Sequence, residues 1–142
     1  MTDKVLIVDD ELDFLNIFSE RLTARDMNVS TASSAKDAIK QINEGSFDAV
    51  VLDLQMPEMD GLEALKIMKA KIPELQVILL TGHATVKKGI EAMKLGVMDL
   101  IEKPADLSTI VERIRSAKAE KILLVEKKSE KRIRELLIRK GW

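Results

Sequence analysis

Cysteine is missing from the chain. No disulfide frame and no thiolate chemistry are available, which fits a reducing compartment and leads us to expect a cytoplasmic protein. The N-terminus, MTDKV, has no basic segment followed by an apolar one, so no signal peptide is expected. No apolar run approaches the length of a membrane span. We find no internal repeat and no low-complexity tract. Tyrosine is also missing, and histidine occurs once, at position 83. His83 reads better as a surface loop residue than as a phosphate carrier, because a carrier would sit on an exposed helical face.

What remains is enough for a core. The 142 residues are 46% hydrophobic, which excludes a disordered chain and points to one domain with an appendage. The net charge of −1 hides an asymmetry. Residues 119–142 hold eight Lys/Arg and four Asp/Glu, a net of +4, which leaves −5 for residues 1–118. We therefore expect a body over 1–118 and a charged, net basic helical extension over 119–142.

Five short apolar runs read as strands: VLIV (5–8), NVSTA (28–32), AVVLDL (49–54), VILLT (77–81) and DLIEK (99–103). Most are too continuous for an alternating pattern, so both their faces are expected to be buried. NVSTA is more polar, as an outer strand would be. Segments of helical period lie between them. Leu12, Leu15, Phe18 and Leu22 share a face, as do Ala35, Ala38, Ile39 and Ile42, with Ser34 as an N-cap. Leu62, Leu65, Met68 and Ile72 follow, with Pro73 as a stop. Val86, Ile90, Met93 and Val97 form a fourth stripe that Gly96 closes. The last helix starts near Leu107, with Asp106 as its cap. Strand and helix alternate five times, which predicts an α/β fold: a doubly wound parallel sheet of five strands, with the site at the strands' carboxyl ends.

Those ends hold a short list of chemistry. The first strand runs into Asp9 and Asp10, the third carries Asp53, the fourth ends at Thr81 and the fifth at Lys103. Two carboxylates about 4 Å apart repel by roughly 4 kcal/mol at an effective dielectric near 20, so side-by-side aspartates at the end of a buried strand need a reason. Singly, such acids are as well explained as solvated turn residues. Together, three carboxylates exceed what one lysine neutralises, and a hard divalent ion such as Mg²⁺ is expected among them. Asp53, alone on the central strand, is the best candidate nucleophile toward a phosphoryl donor. Lys103 would neutralise the group in transit, and Thr81 would donate to it.

The DD pair at 9–10, DLQMPEMDG at 53–61, LTG at 80–82 and KP at 103–104 resemble, in order, the motifs of bacterial response regulator receiver domains. The resemblance covers roughly residues 3–118. It implies a flavodoxin-like sheet of order 2-1-3-4-5 and a two-component phosphorylation switch. Asp53 would take a phosphoryl group from a sensor histidine kinase or a phosphotransfer protein in a phosphorelay. It further implies that Asp10 binds Mg²⁺ directly, that Asp9 acts partly through water, and that the Gln55 carbonyl completes the protein ligands. Thr81 becomes the switch hydroxyl, Lys103 the phosphate-pairing cation, and Lys103–Pro104 a cis peptide. Gln55 and His83 would tune how long the phosphoryl group survives. One departure stands out: Leu100 occupies a place where receivers commonly carry Tyr or Phe, so a ring that turns inward on activation is not available.

Two rival readings use similar chemistry. A Mg²⁺-dependent phosphatase of haloacid dehalogenase type would need an acid two residues after its nucleophile, where this chain has Gln55. A flavodoxin-like flavin binder would need a Ser/Thr/Gly-rich phosphate loop after the first strand, where this chain has DDEL. The expectation is a switch, not an enzyme acting on a separate substrate, and either a stand-alone regulator or a fragment of a longer one. Residues 107–140 contain no Pro or Gly, and a continuous helix over them would be about 50 Å long, against a body roughly 35 Å across. Such a helix must project, bend back or meet a partner. A homodimer through it is one candidate; a nucleic-acid surface is not expected, because aromatic interleaving and the length for a helix-turn-helix are both lacking.

Overall fold

The computed structural model describes residues 3–56, 60–82 and 86–141. Five strands, β1 (Lys4–Val8), β2 (Asn28–Ala32), β3 (Ala49–Asp53), β4 (Val77–Thr81) and β5 (Asp99–Glu102), alternate with five helices. These are α1 (Leu12–Thr23), α2 (Ala35–Glu44), α3 (Gly61–Lys71), α4 (Val86–Lys94) and α5 (Leu107–Arg139). All four pairings are parallel, in the order β2-β1-β3-β4-β5. The polar strand NVSTA is indeed at an edge. Every residue of β3 and β4 is buried, as their unbroken apolar runs require.

Successive residues of a strand face opposite ways, and the two faces build two cores. Leu6, Val8, Leu52 and Leu79 meet α2 and α3 through Ala38, Ile42, Leu65 and Met68. Val5, Ile7, Val51 and Ile78 meet α1 and α5 through Leu15, Leu22, Ile110 and Ile114. Parallel strands need covered crossovers, so each loop that leaves a strand's carboxyl end opens onto the same rim.

Local signals set most of the ends. The Ser34 hydroxyl accepts from the Asp37 amide, and Gly96 takes a positive φ of 85° where α4 turns into β5. Asp60 caps α3 by accepting from the Leu62 amide. Lys69 braces the next loop. Its ammonium donates to the carbonyl oxygens of Pro73 at 2.8 Å and Leu75 at 3.0 Å, and burial holds its pKa below the usual lysine range despite the charge on Glu74.

Three expectations fail locally. Leu12 is 64% exposed, because the first residue of α1 lies on the rim beyond the core that Leu15, Phe18 and Leu22 enter. Val86, Ile90 and Met93 point outward, not into the body. The cause is that α4 approaches the sheet through its small residues. Ala92 is buried, and a Cβ on Gly89 would lie 3.4 Å from Leu100 Cδ2. The bulkier stripe is thereby turned away. Asp106 stands at the N-cap position of α5 but makes no side-chain cap bond; Glu11 at the start of α1 makes none either.

Helix α5 runs through residue 118 without a break. Ile110, Val111, Ile114 and Ala117 seat its first half. Lys118 then pairs with Asp3 at 3.1 Å, and the Lys121 ammonium donates to the Phe47 carbonyl at 3.0 Å. Beyond that turn Leu123, Ile133, Leu136, Leu137 and Ile138 are exposed. Among the described residues, no helix is long and apolar enough to cross a membrane.

Candidate functional site

The rim above the central strands collects the residues expected there. Asp9 follows β1 directly and extends its ladder, its amide donating to the Ala32 carbonyl. The side chain is buried, with Oδ1 accepting from the Glu11 amide at 3.0 Å and Oδ2 accepting from Lys103 Nζ at 2.7 Å. Asp53 ends β3 and repeats the device. It is 6% exposed, and its Oδ1 accepts from the Gln55 amide at 3.1 Å. Each carboxylate is thus oriented by the backbone two residues on, a turn that short acidic side chains favour. Asp10 is exposed beside them. One carboxylate oxygen from each of Asp9, Asp10 and Asp53 lies within 4.8 Å of the others.

Lys103 enters from the far side. Its amide donates to the Thr81 carbonyl at 2.7 Å, which ties the end of β5 to the end of β4 just before the cis peptide at Lys103–Pro104. The ammonium pairs with Asp9 and lies 3.7 Å from Asp53 Oδ2. Thr81 is fully buried at the end of β4. Gln55 exposes its side chain, and Met56 packs into the core. His83 lies outside the described residues, and with it the expectations of a surface loop place and of a role in phosphoryl lifetime.

The electrostatics follow from this crowding. Burial pushes the Asp53 carboxyl above its ordinary value of 3.8. The Gln55 amide pulls it back, the charge on Asp9 raises it further, Lys103 lowers it, and Asp10 raises it. For Lys103, burial works against the charge, but the Asp9 hydrogen bond and the charges of Asp53, Asp9 and Glu11 outweigh it and leave the ammonium more basic than usual. Three carboxylates facing one firmly charged lysine leave an excess of negative charge. The donor set is all oxygen, which suits a hard divalent cation.

One member of the site was not foreseen. The Lys103 ammonium sits over the ring of Phe14, 4.2 Å from its centroid, and that ring stacks on Phe18 at 4.4 Å. The available signal was an aromatic residue one helical turn after Asp10, on the α1 face that neighbours the strand ends.

Comparison with known proteins agrees with this architecture. The family model described as the response regulator receiver domain matches residues 5–115. The transcriptional regulatory protein ZraR of Escherichia coli K12 is 35% identical over 115 residues, 81% of this chain and 26% of that protein. A putative NtrX-like response regulator of Rickettsia bellii is 39% identical over 115 residues, 80% of this chain and 24% of its own length. The chain thus spans about a quarter of the curated relatives it matches. A solved receiver domain from Clostridium thermocellum superposes with a TM-score of 0.82 at 33% identity, covering 86% of this chain and 98% of that one. The phosphatase and flavin-binding readings find no support among these relatives.

Proposed function

From the premise that the chain belongs to the response regulator receiver domain family of two-component signalling, we propose that Asp53 is its phosphoacceptor. The observation that supports this most directly is the position of Asp53. It is buried at the end of a central strand, pinned through one oxygen by the Gln55 amide, and its other oxygen lies 3.7 Å from the Lys103 ammonium.

The donor is a phosphohistidine of a sensor histidine kinase or a phosphotransfer protein. Asp53 Oδ2 attacks phosphorus in line. A P–O bond forms, the P–N bond to the imidazole breaks, and the electron pair stays on the imidazole nitrogen. The Gln55 amide holds Oδ1 and so aims Oδ2. Lys103 is within reach of the charge that gathers on the phosphoryl oxygens. Thr81, at the end of the neighbouring strand, supplies a hydroxyl to the product.

Mg²⁺ fits the three clustered carboxylates. Asp10 and Asp53 would bind it directly, with the Gln55 carbonyl, and Asp9 would act largely through water, since its Oδ2 already pairs with Lys103. When bound, the ion offsets the mutual repulsion of the carboxylates and of the incoming phosphoryl group.

The output is a change in a protein contact, biased by the phosphoryl group. The same reading divides the chain into a receiver over 1–118 and a basic extension over 119–142. It sets the protein in the cytoplasm and makes it a switch, not a turnover catalyst. The test is incubation with Mg²⁺ and a small phosphodonor, followed by intact mass. Wild type should gain one phosphoryl group and Asp53→Ala none; equal gain by both would overturn the assignment.

A further inference from the structure

The pairing of Phe14 with Lys103 goes beyond that reading but rests on it. The ammonium of Lys103 has three N–H bonds and, among the described residues, meets Asp9 at 2.7 Å, Asp53 at 3.7 Å and the face of Phe14 at 4.2 Å. Two of them are carboxylates that draw the ammonium inward. The third is a ring whose own position is fixed, since Phe14 stacks on Phe18, and Phe18 is built into the core beneath α1. A ring face attracts a cation through its quadrupole without demanding one direction.

We propose that Phe14 is a positioning residue for phosphoryl transfer: its ring face is the rail on which the Lys103 ammonium moves from the two aspartates toward the phosphoryl oxygens. Before transfer, Lys103 is held tightly by Asp9 and more loosely by Asp53. Once Asp53 carries a phosphoryl group, the charge to be neutralised lies farther from the strand ends, and the ammonium must follow it. A directional partner on its outer side would resist that shift, and open solvent would let the cation stray. The aromatic face does neither. It keeps the ammonium at one height above α1 while it slides. Leucine at position 14 would fill much of the volume and keep the apolar contact with Phe18, yet it offers no negative face.

The test is a cycle of four proteins: wild type, Phe14→Leu, Lys103→Met and the double variant. Each is phosphorylated by a small phosphodonor in saturating Mg²⁺, so that no partner surface enters the measurement. Phe14→Leu is expected to slow phosphorylation and to weaken Mg²⁺-dependent beryllofluoride binding by about fivefold, the equivalent of about 1 kcal/mol. In the Lys103→Met background the same substitution should cost nothing further, because the cation that the ring serves is gone. Phe14→Tyr, which keeps the ring face, should recover most of the rate. Equal losses from Phe14→Leu in both backgrounds, or a wild-type rate in Phe14→Leu, would overturn the proposal. So would a Tyr variant as slow as the Leu variant while melting at the wild-type temperature. Failure of the phosphoacceptor reading looks different: wild type itself would take no phosphoryl group, or Asp53→Ala would take one.

Discussion

Gly61 stands so close to Leu54 that a Cβ added to it would lie 2.5 Å from the Leu54 Cα and 2.7 Å from its carbonyl oxygen. The Gly61 amide donates to that same carbonyl at 3.0 Å. The start of α3 is therefore pressed directly onto the segment that follows Asp53, and only hydrogen fits in the gap. Gly61→Ala must push two backbones apart, because no flexible side chain is there to yield. We expect a loss of about 1–3 kcal/mol of stability, read by urea unfolding, as for other cases of overpacking. The phosphorylation rate should fall with it, since the same shift would disturb the turn that orients Asp53.

The raised pKa of Asp53 sets a pH dependence with a definite sign. Its carboxyl titrates above its ordinary 3.8, chiefly through burial, with Asp9 and Asp10 adding to the shift. The protonated form is thus favoured by folding. That contribution is fully present below the ordinary value and is lost as pH rises through the raised one. Without divalent metal, Asp53→Asn should melt close to wild type near pH about 4 and progressively higher than wild type toward neutrality. A melting temperature for the variant at or below wild type throughout would contradict the burial argument.

Adding Mg²⁺ should reverse part of that deficit. In calorimetric titrations, Asp10→Asn is expected to lose about a hundredfold or more in affinity as a direct ligand. Asp9→Asn should lose roughly tenfold, as groups that act through water or through another ligand commonly do. A chelator should return wild type to its metal-free melting temperature. Equal losses in the two variants would refute the division of labour between the paired aspartates.

Lys69 offers a test far from the site. Its ammonium satisfies the carbonyls of Pro73 and Leu75, and its Cε lies where a Cβ on Gly96 would be 3.4 Å away. Lys69→Met keeps the length and removes the donor. Two carbonyls then lose a charged partner, and chemical denaturation should register a loss of about 1–3 kcal/mol with little change in the phosphorylation rate.

The order of elements and most of the site were legible because they follow from periodicity and from the rule that parallel strands open on one rim. VILLT and AVVLDL admit no other reading once helices flank them, and their ends necessarily bring Asp53 and Thr81 together. Legibility failed where side-chain size, not hydrophobicity, decided the outcome. The stripe Val86–Ile90–Met93 has the correct period, but Gly89 and Ala92 let α4 come closer to the sheet on another face. The role of Phe14 is hidden in the sequence for a related reason. Helical periodicity separates core from surface positions and does not show that the ring of Phe14 meets a cation arriving from a residue 89 places along the chain.

Helix α5 is gripped at Lys118 and Lys121 and runs on to Arg139. The 18 residues past that grip make an arm about 27 Å long. Its geometry is that of a pointer on a dial. A tilt of about 10° at the grip would sweep the far end through roughly 5 Å. Whatever met that end would receive a displacement that grows with distance from the grip, without any need for the body to rearrange on the same scale.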